Sequence, residues 1–215
     1  MRLPLFPLRT VLFPGMFLPV HVFEPRYRQL LRDVLGDGRV FGVALIRSGE
    51  EVGGPAEPFD VGCSARIETV RELANGRVFV LARGDRRFAI ESLATDEEPY
   101  LVCRVRWLPE PEGDEAAELA QNARAAFDEY RLAISSVGTQ RYAEADLEPA
   151  TSAVDLSYTI ASRLAIDAAE RQLLLESGDA SDRLRDELHF LERENAFLRE
   201  ILVRQHARGE GPRPN

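Results

Sequence analysis

The sequence predicts an α+β fold, a small β-barrel followed by an α-helical bundle, and three observations carry that prediction. Between residues 3 and 28 five prolines (Pro4, Pro7, Pro14, Pro19 and Pro25) stand among large apolar residues. Proline fixes φ and lacks a donor, so such a stretch cannot be a helix and suits strand edges, bulges and turns. Short apolar runs, alternating or punctuated by glycine, then continue to Leu108. Beyond the PEPEG segment at 109–113 they stop, and alanine, leucine and charged residues take over at helical spacing.

In chain order, two short strands are expected over 3–8 and 16–23, joined by a turn at Pro14-Gly15. After Pro25 the spacing turns helical, with Tyr27, Leu30, Leu31, Val34 and Leu35 on one face, and Asp37 with Gly38 breaks that helix. The continuous apolar run at 40–47, VFGVALIR, reads as a buried strand. Residues 48–59 hold Gly49, Gly53, Gly54, Pro55 and Pro58 and read as a projecting loop. Over 60–73, Val61, Cys63, Ala65, Ile67 and then Val70 share a face, with a one-residue slip near Thr69 that predicts a bulge. Asn75-Gly76 is a strong hairpin signal and leads into a strand at 78–82. Gly84-Asp85 is expected to interrupt the chain before the next strand at 87–93, and a last strand spans 100–108. Six or seven short strands with one early helix favour a small barrel over a layered α/β sheet.

The second half reads as helices. Residues 114–137 place Leu119, Ala123, Ala126, Phe127, Tyr130 and Ile134 on one stripe, with Gly138 as the stop. The SAVD at 152–155 and the DAAE at 167–170 resemble capping boxes for two shorter helices. Gly178 stands where a C-terminal cap glycine belongs. A long final helix runs from about 181 to 206. The expected domains are a barrel at 1–109 and a bundle at 114–206, with a disordered tail at 207–215.

Composition narrows function. At 215 residues and 45% hydrophobic the chain can bury a sizeable core. No apolar run approaches the ~20 residues of a membrane span, and prolines defeat a signal-peptide reading of the N-terminus. A cytoplasmic, membrane-free protein is expected. Cys63 and Cys103 lie in separate strands and are expected to be buried thiols; a disulfide between neighbouring strands is the alternative. His21, His189 and His206 are too scattered for metal-ligand spacing, and no cofactor is indicated. All 27 basic residues are arginine. Without lysine there is no Walker A phosphate contact, no Ser-Lys dyad and no Schiff base. The chain is expected not to be an enzyme.

The stretches LPLFPLRTVLFPG and LPVHVFEPRYRQLL at the N-terminus resemble the opening of the Lon substrate-binding domain family, the N-terminal domain of Lon-type ATP-dependent proteases. GRVFVLARGDRRFAI resembles that family's later hairpin and G-x-x-R-F-x-I strand, and AERQLLLE its helical C-terminal part. The resemblance covers most of residues 1–205. It implies a PUA-like barrel followed by a helical bundle, a stand-alone member without ATPase and protease domains, and recognition of unfolded protein or peptide segments, with a separate protease or chaperone as a further partner. An RNA-binding PUA-like barrel is the alternative. Charge weighs against it, since residues 1–109 carry 15 arginines and 14 acidic residues, and the remainder 12 and 22. Arg83, Arg86 and Arg87 could form a local patch, but a solvated hairpin with partial pairing to Asp85 is expected.

The candidate ligand contacts are apolar residues left exposed by the Pro-rich strands: Phe13, Met16, Phe17 and Phe23. Pro14, Gly15, His21, Glu24, Arg26 and Tyr27 belong to the same motif. A His21–Glu24 pair could move protons, but its expected role is to fix the strand-to-helix corner with Arg26. In the last helix, Leu184, Leu188, Leu191, Asn195, Leu198 and Leu202 recur at heptad spacing with one polar residue. A homodimer is expected through Leu188, Leu191 and Leu198, with Asn195 facing its symmetry mate.

Overall fold

The computed structural model of the chain describes residues 1–74, 76–95, 97–137 and 150–207. Asn75 of the hairpin signal, the Gly138 helix stop and residues 208–215 of the expected tail lie outside the described residues. The element order is β1 (Arg2–Leu8), β2 (Phe17–Val22), α1 (Pro25–Gly36), β3 (Val40–Gly49), β4 (Ala56–Pro58), β5 (Val61–Glu72), β6 (Val78–Ala94), β7 (Leu101–Trp107), α2 (Ala116–Val137), α3 (Ala153–Arg163), α4 (Ala168–Glu176) and α5 (Ala180–Ala207). These divide into two units, Met1–Pro109 with Asp167–Glu176, and Glu110–Ile166 with the residues from Ser177 onward.

In the first unit the strands run β1-β7-β6-β5-β3 through antiparallel pairings, and a parallel pairing of β1 with β3 closes the ring. Strand β2 lies beside the first half of β6, and β4 beside β3. Leu3 and Leu5 of β1 pack with Ala44, Phe88, Cys103 and Val105. Phe6 and Leu8, on the opposite face, pack with Tyr27, Leu30, Phe41, Val43 and Val80 under α1. Strands β1 and β3 are thus buried on both faces, which is why residues 40–47 read as an unbroken apolar run.

The slip near Thr69 is a register shift between Ile67 and Thr69. The loop expected at 48–59 contains β4. The break expected at Gly84-Asp85 does not occur, because β6 is one strand of 17 residues. Gly84 serves a close approach instead: a Cβ there would lie 2.1 Å from the Phe13 carbonyl oxygen. The turn at Pro14-Gly15 sits directly on it, with the Gly15 amide donating to the Gly84 carbonyl at 2.8 Å and the Gly84 amide to the Met16 carbonyl at 2.9 Å. Gly15 has φ +80°, the left-handed region such a turn requires.

Arg87 does not join a surface patch. It is 1% exposed, and its guanidinium donates to the Leu175 carbonyl of α4 at 2.7 Å and to the Pro109 carbonyl at 3.3 Å. Gln172 of α4 donates to the Val61 carbonyl at 3.0 Å. Helix α4 therefore belongs to the barrel unit, entered through a complete capping box: the Glu170 amide donates to Asp167 and the Asp167 amide to Glu170. Gly178, after α4, is not left-handed and forms no cap of that kind.

In the second unit α2, α3 and α5 share a core of Phe127, Tyr130, Leu156, Ile160, Leu184, Leu191 and Leu198. The heptad row of α5 turns in part into this core, with Leu188 and Leu202 only half-buried. Leu191 and Leu198 are buried, and Asn195, 2% exposed, donates its amide to the Ala126 carbonyl of α2 at 3.0 Å. The expectation that Asn195 faces a symmetry mate is corrected: an intramolecular helix pair uses the same i, i+3, i+4 spacing as a coiled coil. Arg183, fully buried on α5, donates to Ser157 Oγ at 2.8 Å and Tyr158 Oη at 3.0 Å, and lies 3.9 Å from the Glu110 carboxylate. One turn on, Glu187 is also buried. Burial pushes its pKa well above the usual carboxylate range, against the pull of the Arg183 charge and the Ala161 amide.

Candidate functional site

The Pro-rich opening builds a groove in the first unit. Glu24, at the corner between β2 and α1, accepts from Arg26 Nε and from the Gly53 amide, both at 3.1 Å. Arg26 also donates to the Gly54 carbonyl at 3.0 Å and the Glu51 carbonyl at 3.3 Å, while its guanidinium lies 4.6 Å over the Tyr27 ring. The Arg9 amide donates to Glu51 at 2.8 Å and its side chain to the Gly49 carbonyl at 3.2 Å. These bonds fasten the 49–55 loop against the end of β1 and leave Val52 exposed. Between that loop, the end of β1 and strand β2 lies a groove of about 370 Å³. Its apolar lining is Phe6, Leu8, Leu18, Val20, Phe23 and Val52, and its rim carries Arg9, Thr10, His21, Glu24 and Glu51.

A second cavity, about 600 Å³, opens on the other side of Glu24 toward Tyr27, Pro55 and Tyr100. Its two phenols are poor acids: burial pushes the Tyr27 phenol up to about 12, and burial with donation to Asp33 at 2.7 Å raises Tyr100.

The four sequence-derived contacts separate. Phe23 lines the groove and is 49% exposed. Phe17 is 54% exposed on the outer face of β2, with the Arg83 guanidinium 5.6 Å over its ring. Met16 is partly buried against the core, its sulfur accepting from Arg171 at 3.7 Å. Phe13 is corrected: it is fully buried, with the Arg171 guanidinium 5.2 Å over its ring, so it cannot meet a ligand at the surface. His21 is exposed and its ring lies 5.4 Å from that of Phe79, while Glu24 is held by Arg26 and Gly53, so the pair does not form. Sequence reading missed Leu18, Val20 and Val52. The alternation in β2 could have found the first two, since Leu18, Val20 and Val22 share the face opposite Phe17, Pro19 and His21.

Among the described residues no group of three His, Cys, Asp or Glu side chains could hold a metal ion, and no helix is long and apolar enough to cross a membrane. Both cysteines are buried thiols, and burial raises the Cys103 pKa to about 12, so it does not form a reactive thiolate.

Residues 2–193 match the family model described as the ATP-dependent protease La (LON) substrate-binding domain. The chain is 33% identical over 199 residues to a Lon protease of Roseiflexus castenholzii, covering 91% of this chain and 24% of that protein. It is 29% identical over 200 residues to a Lon protease of Rhizobium meliloti, covering 91% of this chain and again 24% of the relative. The chain thus spans about a quarter of the length of these curated relatives. Among solved structures, the Lon N-terminal domain protein from Xanthomonas campestris aligns with TM-score 0.65 and 28% identity, over 88% of this chain and 98% of that one. The N-terminal domain of a Mycobacterium avium complex Lon protease aligns with TM-score 0.66 over 89% of this chain and 98% of that one, at 21% identity, a likeness of fold. By family match, sequence and fold together, the chain belongs to the Lon substrate-binding domain family.

Proposed function

We propose that this protein binds unfolded protein or peptide segments without acting on them chemically, as a cytoplasmic recognition or adaptor module that presents them to a separate protease or chaperone. The observation that carries the reading is the apolar groove along β2, with Phe23 and Val52 exposed at its margins, in a chain of the Lon substrate-binding family. Recognition is assigned to residues 1–109 and the helical segment 114–206 to support. The missing lysine speaks against both a P-loop ATPase and a Ser-Lys protease within this chain.

The test is a fluorescence titration of labelled β-casein, an unfolded protein, with the purified chain. We expect binding in the micromolar range, about −8 kcal/mol, intact casein after prolonged incubation, and no ATP hydrolysis. Labelled single-stranded RNA should remain unbound at ~150 mM salt, where phosphate-driven binding has weakened. Casein cleavage that tracks the protein peak, or RNA binding tighter than casein binding at that salt, would overturn the reading.

A further inference from the structure

We infer that the open edge of β2 takes an extended polypeptide segment as an added strand, with alternate apolar side chains entering the adjoining groove. The inference rests on the protein-binding reading and specifies its mode.

Among the described residues strand β2 pairs with β6 alone, from Phe17 opposite Arg83 to Val22 opposite Val78. The Gly84 amide bonds the Met16 carbonyl one residue before the strand. Antiparallel ladders alternate bonded and non-bonded pairs, so the bonded pairs that follow are Leu18–Ala82, Val20–Val80 and Val22–Val78. Phe17, Pro19 and His21 then turn their backbone polar groups away from β6. Pro19, with no N–H, occupies the parity at which proline costs the ladder nothing. The edge therefore offers the amides of Phe17 and His21 and the carbonyls of Phe17, Pro19 and His21. These are the groups by which an added strand is held, while pockets for alternate side chains supply selectivity.

The lining narrows what fits. At the groove rim Glu24 is engaged by Arg26, and Glu51 accepts from the Arg9 amide, so the lining presents neutral apolar walls. On the outer face of β2 the Arg83 guanidinium stands over Phe17, and Glu68 and Arg71 are both exposed on β5. A face that carries both signs of charge suits polar residues at the intervening positions. The occupant is thus an extended segment that alternates apolar with polar residues. A helix, whose apolar residues recur every three or four positions, does not match an edge of period two.

The experiment uses the full chain with two probes: labelled β-casein, and a fluorescein-labelled decapeptide alternating valine with glutamate or threonine. Two further decapeptides carry N-methyl groups on the amides of one parity or the other. His21→Pro removes an edge amide that β6 does not use, and circular dichroism verifies its fold. We expect His21→Pro to weaken casein and decapeptide roughly fivefold to tenfold. N-methylation of one parity should abolish peptide binding, while the other parity is tolerated. Casein binding that is indifferent to His21→Pro, together with equal effects of the two N-methylated peptides, overturns strand addition and leaves protein binding standing. Failure of both probes to bind the unaltered chain overturns the two together.

Discussion

Replacing Arg183 by methionine should destabilise the helical unit by about 3 kcal/mol at neutral pH, the cost of leaving its buried hydroxyl partners without their donor and the buried Glu187 carboxyl without a nearby cation. The guanidinium is fully buried, holds the hydroxyls of Ser157 and Tyr158, and stacks 4.0 Å over the Tyr158 ring. It is also the cation that moderates Glu187, whose carboxylate oxygens make no well-formed hydrogen bond. The sign of the pH dependence follows from the raised Glu187 pKa. A carboxyl held above its unfolded value of about 4.3 favours folding fully below that value. That contribution is lost as pH rises toward the folded pKa. Removing Arg183 raises the folded pKa further, so the penalty should be larger at pH 7.5 than at pH 5. Adding Glu187→Leu should recover part of it, because it removes the buried carboxyl that the loss of Arg183 leaves without a nearby cation. Urea unfolding of the two single variants and the double variant at both pH values measures each term. An additive double variant would show that the two residues are not coupled.

Gly84→Ala should cost about 3 kcal/mol, toward the upper end of overpacking effects. The new methyl group would meet a backbone carbonyl, that of Phe13, and a backbone atom cannot rotate aside as a side chain does. The 13–15 turn must lift, breaking the bonds between Gly84 and both Gly15 and Met16 that start the β2–β6 pairing. Groove binding should fall with stability, because β2 forms one of the groove's walls. Gly36→Ala, in α1 with open space around it, is the matched control and should be neutral or slightly stabilising. Denaturant midpoints of the two variants give the comparison.

Local rules made the elements legible where they act alone. Five prolines among apolar residues gave β1, β2 and the turn between them. Helical spacing after Pro25 gave α1, and the slip at Thr69 gave the bulge. Sequence reading failed where a residue answers to a distant partner. Glycine usually punctuates a strand, but Gly84 lies inside one because the Phe13 carbonyl presses on it from 71 residues away. Arg87 resembles its neighbours Arg83 and Arg86 in composition, and the carbonyls that bury it come from Pro109 and Leu175. The capping box of α4 was readable, but its membership in the barrel unit depends on those same long-range bonds. In α5 the heptad pattern is legible, but not which helix Asn195 faces, since its amide donates to the Ala126 carbonyl of α2 within the same chain. The groove was legible in outline through Phe23, and Val52 was hidden in a glycine-rich loop whose position is fixed by Arg9 and Arg26.

Amide hydrogen exchange on the full chain, with and without saturating β-casein, tests the central claim most directly. Exchange reports opening and occupancy segment by segment. The account predicts that casein slows exchange in β2, at Phe17 and His21 above all, and in the loop at 50–54, with little change in α2 and α5. Unchanged exchange in β2 at saturation, or protection confined to the helical unit, would contradict it.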